Sequence, residues 1–211
     1  MSLLRQFFAK MPIIAILRGL TPEEAPAALD ALTGAGIRIV EVPLNSPHPF
    51  ESLRILVERA GKDLLIGAGT VLSSDEAVQV AQIGARLMVA PNMDPSVIEK
   101  GCALGLATLP GVATPSEAMT ALKAGADGLK MFPGEMLPPN VLKAWRAVLP
   151  RNTLLVPVGG VTAEVMADYW NAGAAAFGVG SALYQPGLAP EELGRRARAF
   201  VERYCDLACS S

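Results

Sequence analysis

The sequence predicts an α/β fold, a compact (β/α)8 barrel with an extra N-terminal helix. Three observations carry that expectation. First, short aliphatic runs recur eight times, at 13–17, 37–42, 64–68, 87–90, 106–109, 128–132, 154–158 and 175–179, with starts 19 to 27 residues apart. That interval leaves room for one helix between consecutive strands, the repeating unit of a parallel sheet. Second, the stretches after the runs carry helix-start chemistry, an N-cap followed by proline or by a capping glutamate. Third, Gly34, Gly61, Gly84, Gly105, Gly125 and Gly173 each stand a few residues before the next run, where a helix ends. Alternation within the runs is weak, as expected of strands buried on both faces. Eight such units also fit an open, doubly wound sheet, so the count alone does not decide closure.

Taken in order, the residues before Pro12 read as the extra helix, closing the barrel bottom. Thr21-Pro22-Glu23-Glu24 opens the helix after the first run, Ser73-Ser74-Asp75-Glu76 the one after the third, and Asp94-Pro95 the one after the fourth. Thr114-Pro115-Ser116-Glu117 repeats the first pattern after the fifth run. The tract 169–190 has no charge and could suggest a membrane span. Gly173, Gly178, Gly180, Pro186 and Gly187 instead divide it into a strand and turns. Arg195, Arg196, Arg198 and Arg203 read as the solvated face of a last helix. At 211 residues the domain spans 1–211 with little beyond its eight units.

Composition excludes several functions. The chain is 51% hydrophobic but only 5% aromatic, with 33 alanines, so small and branched side chains fill its core. Its 18 basic and 20 acidic residues leave a net charge of −2 without a basic tract, which argues against nucleic-acid binding. One histidine, His48, and three cysteines, Cys102, Cys205 and Cys209, do not make a zinc set, and no metal or cofactor is expected. His48 lies in Ser46-Pro47-His48-Pro49 and reads as a surface loop. The odd cysteine count and the lack of a signal-peptide core suggest a reduced, cytoplasmic setting with no membrane partner.

Chemistry on such a barrel gathers at the C-terminal ends of the strands. Lys130 is the one lysine of six inside an aliphatic run. Burial disfavours its ammonium form and frees the amine as a nucleophile, although a lysine salt-bridged inside the barrel would satisfy the same pattern. Glu41 is the only carboxylate within a run. In a barrel the second and sixth strands both face the lumen, so these two side chains could meet. An amine beside a carboxylate suits imine chemistry on a ketone; the bland alternative is a buried ion pair, which is costly. Gly159-Gly160 after the seventh run and Gly180-Ser181 after the eighth offer backbone N–H groups to a phosphate. Arg18 and Thr70 could hold a substrate carboxylate, unless Arg18 simply pairs with Glu23 or Glu24.

With these residues assembled, the sequence resembles the class I pyruvate aldolases acting on 2-keto-3-deoxy-6-phospho sugar acids. The matching segments are Ile14-Ala15-Ile16-Leu17-Arg18-Gly19, Val40-Glu41-Val42-Pro43-Leu44-Asn45-Ser46-Pro47, Ile66-Gly67-Ala68-Gly69-Thr70-Val71-Leu72, Ala90-Pro91-Asn92, Leu129-Lys130-Met131-Phe132-Pro133 and Pro157-Val158-Gly159-Gly160-Val161. The resemblance implies a (β/α)8 TIM barrel, usually a homotrimer, without a metal. It implies Lys130 as the Schiff-base lysine and Glu41 as the general acid/base, with pyruvate and glyceraldehyde 3-phosphate as products. Phe132 would pack on the substrate and Pro91 would line its pyruvate end.

Two departures separate branches of the family. The gluconate type resembles Glu-Val-Thr-Leu-Arg on the second strand, where this chain has Asn45, so Arg18 would take over the carboxylate. It also resembles Thr-Gly-Gly on the seventh strand, where this chain has Val158. The two substrates are epimers at C4, and a lost hydroxyl beside that carbon would shift preference. Both departures look like the galactonate branch. A gluconate-type aldolase, a phosphosugar isomerase or epimerase on a similar barrel, and a non-catalytic phosphate-ligand binding protein are the rival readings.

Overall fold

Every aliphatic run contains a strand. In chain order they are β1 (Ile13–Ile16), β2 (Ile39–Pro43), β3 (Leu65–Gly69), β4 (Leu87–Val89), β5 (Ala107–Leu109), β6 (Gly111–Val112), β7 (Leu129–Met131), β8 (Leu155–Pro157) and β9 (Phe177–Val179). The computed structural model describes residues 1–209; positions 210 and 211 of the expected 1–211 domain lie outside the described residues. All ladders are parallel, in the orders β5-β4-β3-β2-β1-β9 and β6-β7-β8. The fifth run continues into a ninth strand because Pro110 has no N–H to give the ladder and splits β5 from β6. Its carbonyl still accepts from Lys130 N at 2.9 Å, and Gly128 N donates to Thr108 O at 3.3 Å. On the other side Ala175 N donates to Leu155 O at 2.8 Å, and Val158 bridges Gly178. The two ladders therefore join at both margins into one curled sheet.

Helices follow the strands: α1 (Leu3–Phe8) before β1, then α2 (Ala25–Gly34), α3 (Pro49–Arg59), α4 (Ser74–Gln82), α5 (Pro95–Ala103), α6 (Pro115–Lys123), α7 (Pro139–Arg146), α8 (Met166–Ala172) and α9 (Pro190–Cys209). The expected starts form at Ser73 and Thr114, each with a complete capping box, and at Asp94, which accepts from Ser96 N and Val97 N. At Thr21 the reciprocal bonds to Glu24 form, but residues 22–24 are turn and regular helix begins at Ala25. Gly34 is the exception among the helix-end glycines: it is still helical, and the left-handed turn falls on Gly36 (φ 103°). Among the described residues no helix is long and apolar enough to cross a membrane.

The weak alternation in the sequence hides two separate cores. Ile14, Ile16, Ile39, Leu65, Leu87, Val89, Leu109, Val156 and Val158 pack together inside the curl. Their strand neighbours Ile13, Ala15, Val40, Ile66, Met88, Leu129, Met131 and Leu155 join the helices in the outer shell. Both sets are aliphatic, so period two is present in space but invisible in composition. Leu4, Phe7 and Phe8 of α1 belong to the inner cluster.

Candidate active site

The register that stacks apolar layers also sets the chemistry. Ile14, Ile39 and Leu65 lie side by side across β1, β2 and β3; two residues further, Ile16, Glu41, Gly67 and Leu87 form the next row. Glu41 thus faces inward by the same parity as Ile39. Lys130 sits between Gly111 and Val156 in register, with Leu129 and Met131 turned to the outer shell. Both ionisable groups are buried, Glu41 at 2% exposure and Lys130 at 5%.

Room for the carboxylate comes from an absent side chain. A Cβ on Gly69 would stand 2.0 Å from Glu41 Oε2. That oxygen is buried and has no hydrogen-bond partner among the described residues. Burial pushes the Glu41 carboxyl up to about 7, against the opposing pull of the Lys130 and Arg18 charges. Burial likewise lowers Lys130, helped by the Arg18 charge and opposed by Glu41. Burial therefore disfavours the charged form of each group, and for Lys130 that is the direction that frees an amine for attack on a carbonyl. Lys130 Nζ lies 4.5 Å from the centroid of the Phe132 ring, which confines the amine from one side.

Lys130 opens into a cavity of about 600 Å³ that Arg18, Phe132, Val158, Gly159, Gly160, Gly180 and Ser181 also line. Eight of the expected site residues therefore share one space, with Glu41 buried beside it. Thr70 directly follows β3, Pro91 lies two residues beyond β4, and both fall outside the lining. Gly159 and Gly160 both have left-handed backbones (φ 106° and 63°), and a Cβ on Gly159 would strike Gly134 N at 2.8 Å and Glu135 Oε2 at 2.7 Å. Only glycine lets this loop pass so close to its neighbours.

Arg18 is not paired with Glu23 or Glu24. Its Nη1 donates to Asn45 Oδ1 at 2.6 Å, while Gly19 N donates to Ser46 Oγ at 3.0 Å. The Arg18-Gly19 corner is thereby docked on the Asn45-Ser46 corner. His48 is exposed, as expected of a surface loop, and has a left-handed backbone (φ 44°). Arg195 and Arg196 are engaged by Glu192 on the solvated α9 face. Among the described residues no three His, Cys, Asp or Glu side chains gather in a way that could hold a metal ion.

Several lining residues have no signal in the runs. Glu135, Thr162, Tyr184 and Gln185 come from the segments after β7, β8 and β9. Thr162 directly follows the Gly159-Gly160-Val161 motif, and Tyr184 and Gln185 belong to the uncharged tract, so both signals were present but not specific. Tyr169 Oη donates to Gly134 O at 3.3 Å and Leu137 O at 3.2 Å, fixing the short turn that carries Glu135.

Residues 4–195 match the family model for KDPG and KHG aldolases. A Rhizobium meliloti protein named probable 2-dehydro-3-deoxy-6-phosphogalactonate aldolase is 47% identical over 193 residues, covering 92% of this chain and 91% of that protein. The 2-dehydro-3-deoxy-6-phosphogalactonate aldolase of Escherichia coli is 45% identical over 199 residues, 94% of this chain and 97% of its own length. Among solved structures, one described as native KDPGal is similar with a TM-score of 0.93 at 44% identity, covering 95% of this chain and 97% of that one.

Proposed function

The chain belongs to the KDPG and KHG aldolase family and is a carbon–carbon lyase, and from that premise we propose that it cleaves 2-dehydro-3-deoxy-6-phospho-D-galactonate to pyruvate and D-glyceraldehyde 3-phosphate through a Schiff base. The carrying observation is Lys130, buried with a depressed pKa and opening into the cavity beside the unpartnered carboxylate of Glu41.

Lys130 Nζ attacks the C2 ketone, and loss of water leaves an iminium. Glu41, directly or through water, takes the C4 hydroxyl proton. The C3–C4 bond breaks, its electron pair moves toward the iminium nitrogen, and glyceraldehyde 3-phosphate leaves. The remaining enamine is protonated at C3 by Glu41 and hydrolysed to pyruvate and free Lys130. Arg18, held by Asn45, binds the carboxylate; Gly159, Gly160, Gly180 and Ser181 receive the phosphate on backbone N–H groups and a hydroxyl. Phe132 packs on the substrate. Thr70 follows the glycine that makes room for Glu41, and the carbonyl of Pro91 lies against Gly111, the register partner of Lys130; this placement supports roles for both at the pyruvate end. Val158 faces the reacting carbons without a hydroxyl, which favours the galactonate epimer.

The same reading has a single domain over 1–211, a (β/α)8 barrel with α1 as its extra helix. The bonds that join the two ladders at both margins support it. A cytoplasmic homotrimer that needs no metal is the assembly and setting the family resemblance favours. Borohydride reduction in the presence of pyruvate, followed by mass mapping, tests the chemistry. A pyruvyl adduct on Lys130, absent from Lys130→Met, is the expected result; no adduct on Lys130 sinks the proposal.

A further inference from the structure

Three helix starts carry the same box, and one behaves differently. Glu76 accepts from Leu72 N and Ser73 N, and Glu117 from Ala113 N and Thr114 N, so both carboxylates stay on their own helix. Glu24 accepts from Thr21 N at 3.0 Å as its box requires, but its carboxylate also reaches some 160 residues along the chain. Oε2 accepts from Tyr184 Oη at 3.1 Å, and Oε1 from Gly187 N at 2.9 Å. Three donors from two loops converge on one carboxylate, which holds Glu24 below the usual carboxylate range despite partial burial. Burial and the Glu24 charge raise Tyr184, so its hydroxyl remains a donor.

The loop that Glu24 grips is a wall of the cavity. Ser181, Tyr184, Gln185 and Pro186 line it together with Gly159 and Gly160. Within the loop, Leu183 N and Tyr184 N donate to Gly180 O and Leu188 N to Gln185 O; these bonds curl the segment without tying it to a neighbour. Pro186 closes against Gly19, where a Cβ would stand 2.6 Å from its ring. The loop thus rests on the corner that carries Arg18 and is fastened there by Glu24.

We propose that Glu24 is a positioning residue for the phosphate end of the site, holding the β9–α9 loop in the shape that receives the phosphate while touching no substrate atom. The proposal rests on the aldolase reading, and it divides the active site into a rigid imine end and a phosphate end whose geometry depends on one distant carboxylate.

The test compares wild type, Glu24→Gln, Glu24→Ala and Tyr184→Phe on the 6-phospho substrate and on its unphosphorylated counterpart, with Glu117→Gln as a control box that stays local. Glu24→Ala is expected to raise KM for the phosphorylated substrate about tenfold with kcat within about twofold, the size of lost charge-assisted hydrogen bonds. KM for the unphosphorylated substrate and borohydride trapping of pyruvate on Lys130 should not change. Glu24→Gln and Tyr184→Phe, each sparing part of the clamp, should fall between. Glu117→Gln should lower Tm without moving KM. An equal KM rise for both substrates, an unchanged KM in Glu24→Ala, or a matching KM rise in Glu117→Gln overturns the proposal. A wild-type protein that traps no pyruvate fails the aldolase reading instead, and so separates the two.

Discussion

The two ends of the space inside the curled sheet are built from opposite materials, though single strands run through both. At the N-terminal end, Leu4, Phe7 and Phe8 join Ile39 and Leu65 in one apolar cluster, and the nearby charges are occupied. Lys10 pairs with Asp63 at 3.2 Å, Arg86 donates to Leu64 O at 2.8 Å, and both cations lie over the Phe7 ring. At the C-terminal end, two residues along the same face of β2, Ile39 gives way to Glu41, and an oxygen has no partner among the described residues. The lower end contributes stability. The upper end gives some of it up to keep an amine and a carboxylate ready to react.

Glu41→Gln should break this contrast most strongly. Cleavage is expected to fall about 10³-fold with loss of the proposed acid/base group, measured as kcat with the 6-phospho substrate. The same change should relieve the fold. A carboxyl pushed up to about 7 in the native state, against an ordinary 4.5 unfolded, is favoured there as the neutral acid. Its contribution is complete below about pH 4.5 and is lost as pH rises through 7. Glutamine mimics the neutral form, so variant and wild type should melt together near pH 4 and the variant should melt higher at pH 8. Equal melting temperatures at both values would show that Glu41 carries no burial cost.

The converse substitution lies at the bottom. Phe7→Ala should cost about 3–4 kcal/mol in denaturant unfolding, yet leave kcat/KM per folded molecule within about twofold. A larger loss of activity would mean that the two ends are coupled. The smallest effect sharpens the upper end alone: Val158→Thr should move the preference between C4 epimers about tenfold toward the gluconate form. Val158 is 6% exposed and lines the cavity, and Gly178 leaves space for its methyl groups. Retained selectivity would place discrimination on another residue, and Glu135, which also lines the cavity, is a polar alternative.

How much of this was legible in the sequence follows the same division. Strands and helix starts are local events, so the eight runs and the caps at Ser73, Asp94 and Thr114 carry their own signals. Lys130 and Glu41 were visible as charges in aliphatic runs. Pro110 was readable as a ladder break only once Lys130 N is seen to bond to its carbonyl. The pairing of Arg18 with Asn45, the space that Gly69 leaves for Glu41, and the entry of Glu135, Thr162 and Tyr184 into the cavity depend on corners of different units meeting. Local patterns do not encode such meetings. Thr70 and Pro91 illustrate the limit from the other side: both follow strand ends at the same face as Lys130 and Glu41, and neither lines the cavity.

The Arg18–Asn45 bond bears on how such a site can diverge. On the proposed reading the two positions, which follow adjacent strands, form a single recognition unit, so neither is an independent letter in the substrate code. Placing an arginine at position 45 while Arg18 remains would set two guanidinium groups against one another, and on the same reading losing Arg18 first would leave the substrate carboxylate without a cation. A lineage crossing between the two substrate branches therefore faces a valley at either single step. The passage is open only to exchanges that change both strands together, which makes covariation of these two columns the trace it would leave.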